Sequence, residues 1–112
     1  MSEAGVVDIR AAAREIPRAW APVDLVRAND TILRLAKLDG AFPWHHHDED
    51  ELFLCWEGSF RIELADRPAI ELRAGEIFVV STGLEHRPVA ARPAIALLIE
   101  RPETLQYGNA IP

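Results

Sequence analysis

The clearest alternation of apolar and polar positions runs from Ser59 to Gly75. Phe60, Ile62 and Leu64 alternate with Arg61 and Glu63, and after a break Ile70 and Leu72 alternate with Glu71 and Arg73. A period of two sends successive side chains to opposite faces of a strand. The stretch therefore predicts a hairpin with one face in a core and the other in water, turning at Asp66, Arg67 and Pro68. The run "DTILRLAKLDG" sets Leu33 and Leu35 against Arg34, with Lys37 nearby, and "EIFVVST" and "PAIALLIE" read as further strands. Gly40, Gly58, Gly75 and Gly83 punctuate these runs. Only "VVDIRAAAREI" has a helical period, with Val7, Ala11 and Ala12 on one side and Pro17 as its stop. Many short strands after one short helix predict an all-β antiparallel sandwich or barrel.

Composition narrows the class. The 112 residues suit one domain, and 49% apolar content excludes a disordered or fibrous chain. The expected layout is an N-terminal helix and arm over residues 1–20, a barrel over 21–104 and a tail over 105–112. A net charge of −6, with basic residues spread singly, argues against a nucleic-acid or anionic-membrane partner. One cysteine, Cys55, excludes an internal disulfide and fits a reducing compartment. No apolar run approaches the ~20 residues of a membrane span. Met1 to Asp8 lacks the basic and apolar regions of a signal peptide, so a cytoplasmic location is expected.

The chemistry concentrates in "WHHHDEDELF", residues 44 to 53. In a strand, His45 and His47 share one face and His46 points away. Glu51 has the same parity, and a turn between Asp48 and Asp50 would return it beside the two imidazoles. Two imidazoles and a carboxylate on one inward face suit a borderline divalent ion. The fourth histidine, His86 in "STGLEHRPVA", follows a glycine turn and completes the candidate set. The run Asp48, Glu49, Asp50 reads as a solvated turn. Cys55 shares the parity of Glu51, and reads as a small buried hydrophobe or a cavity residue. Trp44 reads as a packing residue or a pocket wall.

These residues also carry a resemblance. Gly40 to Gly58 resembles the first motif of the cupin superfamily: a glycine, His-x-His (His45, His47), a glutamate (Glu51), then six residues and a glycine (Gly58). Gly75, Gly83 and His86 resemble the second motif. Ser81 stands where the family usually has proline, the asparagine that often follows the second-motif histidine is absent, and the lead from Gly40 to His45 is one residue short. The wider stretch from Trp20 to Glu103 is similar to small single-domain bacterial cupins, often labelled mannose-6-phosphate isomerase-like. The resemblance implies a double-stranded β-helix, a jelly-roll barrel, with His45, His47, Glu51 and His86 as metal ligands. It implies a divalent transition metal (Zn, Mn, Fe, Co or Ni) with one or two positions left open.

Two functions fit. One is a metal-dependent enzyme on a small molecule, of dioxygenase or isomerase type. The other is a non-catalytic binding or sensing module with a structural metal. Inward polar residues beyond the four ligands would favour the first, whereas Phe53, Cys55, Phe78 and Val80 are mostly apolar. No glycine-rich phosphate loop or basic cluster supports a sugar phosphate. Leu52, Leu54 and Trp56 have outward parity on their strand, so another element must cover them. The other sheet, the N-terminal helix or a second subunit could do so. The resemblance favours a homodimer.

Overall fold

The computed structural model describes residues 5–109. It contains helix α1 (Ile9–Arg14) and strands β1 (Val23–Ala28), β2 (Thr31–Ala41), β3 (Glu51–Glu57), β4 (Ser59–Leu64), β5 (Arg67–Arg73), β6 (Ile77–Val80) and β7 (His86–Glu100). All pairings are antiparallel. The strands run β1-β2-β7-β3-β6, with β4 joined to β7 and β5 joined to β4. The sheet rolls into the jelly-roll barrel.

Strand β7 organises this roll. Its second half lies between β2 and β3, pairing Ala96 with Ala36 on one side and with Cys55 on the other. Its first half pairs with β4, Leu64 standing opposite His86. "PAIALLIE" is thus only the second half of a strand of 15 residues that begins at the candidate ligand His86. Strand β1 has no clear signal in the sequence, because Leu25 is its only buried residue. The hairpin turn is tighter than its composition suggests. Ala65 and Asp66 alone connect β4 to β5, and Arg67 already pairs with Leu64.

The sheet buries both faces. Inside the barrel, Leu38, Phe53, Cys55, Phe60, Ile62 and Leu72 form the main core. Outside it, Leu25, Leu35, Ile95 and Leu97 form a second cluster, against which Ile9, Ala12, Ala13 and Ile16 of the helical segment pack. Asp8 caps the helix, its carboxylate accepting from the backbone N–H of Arg10 at 2.9 Å. The helical stripe is therefore rotated from the expected one. Ala12 faces inward, but Val7 precedes the helix and is exposed. Leu54 and Trp56 pack into this same outer cluster, so their cover comes from within the chain. Among the described residues no helix is long and apolar enough to cross a membrane.

The two layers predict unequal sensitivity to truncation. Ile62 is fully buried, whereas Val26 is 38% exposed. Ile62→Ala should cost about 2–5 kcal/mol in denaturant unfolding, and Val26→Ala under about 1 kcal/mol. Comparable losses would show that the interior of the barrel is not the dominant core.

Candidate metal centre and adjoining cavity

The residues before β3 form little regular strand, yet their placement is firmly fixed. His45 makes an isolated bridge with His86. Its N–H donates to the His86 carbonyl at 3.0 Å, and the His86 N–H donates back at 2.9 Å. The His47 carbonyl accepts from the Gly83 N–H at 2.8 Å. Asp50 ties the same loop down, its carboxylate accepting from both the N–H and the hydroxyl of Thr82. The acidic turn is therefore partly a structural clamp. Each of these bonds joins the first histidine stretch to the turn before β7.

As a result His45, His47, Glu51 and His86 meet. All four are buried, and one ligand-capable atom from each lies within 4.8 Å of the others. His47 Nε2 and His86 Nε2 each stand 3.4 Å from Glu51 Oε1. Ligands about 2.1 Å from a common ion are separated by roughly 3.0–3.5 Å at tetrahedral or octahedral angles. His45 Nδ1 is 2.8 Å from the Pro43 carbonyl, and His86 Nδ1 is 2.8 Å from the Leu84 carbonyl. Those carbonyls place the proton on Nδ1 and leave Nε2 free as a donor to a metal. Both nitrogens of His47, Nε2 of His86 and Oε1 of Glu51 are buried without a hydrogen-bond partner. Such atoms are costly in an apolar interior unless something binds them. The donor set suits a divalent transition ion.

The remaining histidine and its neighbours stand apart. His46 is not in the cluster, as its parity predicts. Its carbonyl instead accepts from the Asn109 N–H at 2.8 Å. Trp44 does not wall the pocket. It is 43% exposed, with the Arg87 guanidinium 5.0 Å from its ring centroid. Cys55 is fully buried in the core, its thiol donating to the Gly58 carbonyl at 3.3 Å, and burial pushes that thiol up.

Three functional candidates escape sequence reasoning. A cavity of about 280 Å³ adjoins His45 and Glu51, and Arg34, Glu100 and Thr104 also line it. Leu52 pairs with Ile99, so the same register sets Glu51 opposite Glu100. Burial, then the adjacent Glu51, hold the Glu100 carboxyl well above the usual carboxylate range, despite its ion pair with Arg34. Burial acts on Glu51 in the same upward direction, but the His47 and His86 imidazoles beside it, each with Nε2 at 3.4 Å, outweigh it and keep that carboxyl low. The two carboxyls thus titrate as a coupled pair, with Glu100 pushed toward its protonated form and Glu51 toward its charged one.

Burial, reinforced by His86 and His47 and opposed mainly by the hydrogen bond to Pro43, pushes the His45 imidazole down to about 4. That value lies below the ordinary 6.5, so between pH 6.5 and 4 the unfolded chain takes up a proton that the folded chain refuses. This contribution to stability is complete above pH 6.5 and is lost as the pH falls toward 4. Denaturant midpoints of metal-free protein should decline across that window, and His45→Gln should flatten the decline. An equal slope in the variant would remove His45 as its source.

Comparison with known proteins agrees with this geometry. The Cupin domain family matches residues 32–100. The uncharacterized protein YdbB of Bacillus subtilis (strain 168) is 32% identical over 94 residues, covering 83% of each chain. Among solved structures, a cupin-2 domain containing protein from Shewanella frigidimarina is 34% identical with a TM-score of 0.82, covering 86% of this chain and 94% of that one. Protein NMB1881 from Neisseria meningitidis is 28% identical with a TM-score of 0.80, covering 87% of this chain and 99% of that one. The chain belongs to the cupin family, as one of its small single-domain members.

Proposed function

We propose that the protein is a metal-dependent enzyme acting on a small molecule, with His45, His47, Glu51 and His86 as the ligands of one divalent ion. The observation that carries this reading is the convergence of buried, unpartnered donor atoms beside an open cavity. A bound Zn, Mn, Fe, Co or Ni ion would supply Lewis-acid polarisation or, where redox-active, one-electron chemistry at positions the protein leaves open. The chain's own residues do the rest. The Pro43 and Leu84 carbonyls orient two imidazoles, and apolar side chains form much of the cavity wall. Burial and the neighbouring Glu51 push Glu100 toward its protonated form. Arg34, Glu100 and Thr104 are inward polar groups beyond the ligands, and they favour turnover over a purely structural metal. Dioxygenase and isomerase chemistry both fit this arrangement, and the identity of the metal separates them.

Elemental analysis of protein purified without added metal should find close to one transition-metal ion per chain. His86→Ala should abolish most of that occupancy, and His46→Ala should leave it nearly unchanged. Iron would favour oxygen chemistry, whereas zinc or manganese would favour the non-redox options. No metal in the purified protein, together with no rise in Tm on adding any of the five ions, would defeat the reading.

We further propose that two copies pair through the outer face of β3 and β6. Leu54 and Trp56 pack against the outer cluster, but Val79, opposite Leu52, is 45% exposed, and Ile77, opposite Leu54, is more exposed still. A second copy covering this strip would bury it in a two-fold dimer. Light scattering at micromolar concentration should give twice the 12.5 kDa chain mass, and Val79→Glu should return it to one. A monomeric parent protein would overturn the pairing.

A further inference from the structure

The cavity beside the metal cluster has a distinctive chemical balance. Its apolar walls include Trp20, Ala36, Leu38, Phe42, Phe53 and Leu98. Trp20 and Phe42 lie with ring centroids 4.9 Å apart, and Trp20 is held by its indole N–H donating to the Asp39 carbonyl at 2.8 Å. An apolar cavity of about 150 Å³ holds benzene. The present 280 Å³ therefore suits one ring with a few substituents.

Among the described residues, the only cationic side chain lining this cavity, apart from the candidate ligand His45, is Arg34, and it is already engaged. Its Nε donates to Asp24 Oδ1 at 3.0 Å, and Nη1 donates to Glu100 Oε2 and to the Thr104 carbonyl. Nη2 donates to the Pro102 carbonyl at 2.9 Å. Four of its five N–H groups are thus taken, two of them by carboxylates, and little is left to bind an anion. The same clamp fixes the segment that carries Thr104 over the cavity. Glu100 Oε1 and Thr104 Oγ1 are both fully buried, and neither has a partner among the described residues. Their residues are 6% and 5% exposed and both line the cavity. A carboxyl oxygen retains a lone pair in either protonation state, and a threonine hydroxyl both donates and accepts.

We infer that Glu100 and Thr104 are specificity-determining residues that recognise the hydroxyl group of a small, uncharged, ring-sized molecule. Glu100 Oε1 accepts the hydroxyl proton, and the Thr104 hydroxyl donates to its oxygen. The ring lies among Trp20, Phe42 and Phe53. The inference rests on the reading of this cavity as the substrate site of the metal centre, and it names the substrate class. A ligand of the same shape without the hydroxyl leaves two buried polar atoms unpaired, and a ligand with a full negative charge meets carboxyls and a committed arginine.

Titration calorimetry with phenol, toluene and benzenesulfonate tests this, with metal content measured on the same samples. Phenol should bind about tenfold more tightly than toluene, and benzenesulfonate more weakly than phenol. Thr104→Val keeps the shape and removes the hydroxyl. It should cut the phenol-to-toluene ratio severalfold, by weakening phenol and easing toluene, while leaving metal content unchanged. Glu100→Gln should lower the ratio as well, and Thr104→Val alone decides the matter if that variant fails to fold. Equal binding of phenol and toluene, no binding of phenol at millimolar concentration, tighter binding of benzenesulfonate, or an unchanged ratio in Thr104→Val would each overturn the inference. Protein that keeps the phenol preference but carries no metal would defeat the metal reading and leave this one standing.

Discussion

Everything in the site depends on a pair of reciprocal backbone hydrogen bonds between His45 and His86. Neither histidine lies next to the other in the chain, and most of the backbone around His45 forms no strand. The exchange of two N–H to carbonyl bonds nevertheless pins the approach to β3 against the start of β7. Once that register is set, the imidazoles face each other, with ring centroids 4.4 Å apart. Glu51 then enters from the first position of its own strand. The bridge thus converts an accident of loop geometry into a fixed arrangement of four polar groups in an apolar interior.

A second constraint lies behind the first. Arg34 and Glu100 form an ion pair inside the roll, where removing charges from water is expensive. The cost is offset because Arg34 also donates to Asp24 and to two backbone carbonyls. Breaking this network at one point would leave a buried charge without a partner. The arginine therefore serves the fold and the cavity together, holding the segment after β7 in place and setting the charge balance of the pocket.

An antiparallel β fold and the grouping of His45, His47 and Glu51 were legible because they rest on parity, whereas the jelly roll and the place of His86 were legible through the two paired motifs. Alternation in β4 and β5 reports a strand directly, and the spacing of His45, His47 and Glu51 survives the loss of regular strand since each residue is pinned individually. What stayed hidden follows from one assumption, that the charged member of an alternating pair faces water. In β2, Leu33 and Leu35 pack into the outer cluster while Ala36 and Leu38 line the barrel. Arg34 has the parity of the latter, so the charged residue is the one that points inward. A sheet covered on both faces removes the contrast between the two sides, and sequence alternation alone no longer says which is wet. Glu100 was hidden in the same way, as the apparent polar end of an apolar run. Thr104 belongs to no strand, and only the clamp from Arg34 brings it to the cavity.

The long reach of β7 has a kinetic consequence. Arg34 and Glu100 touch across 66 positions of chain, and β2 pairs with β7 along most of its length. Native contacts of such high sequence separation form slowly, because loop closure must precede any reward. His86 can meet His45 only when β7 has returned, so an ion that needs all four groups cannot template the early chain. It can only engage a structure that is already assembled. Stabilising contacts made after the folding barrier act on the rate of leaving the native state rather than on the rate of reaching it. A metal bound at this bridge would therefore act as a late latch, lengthening the lifetime of the folded barrel while leaving its assembly to the apolar core.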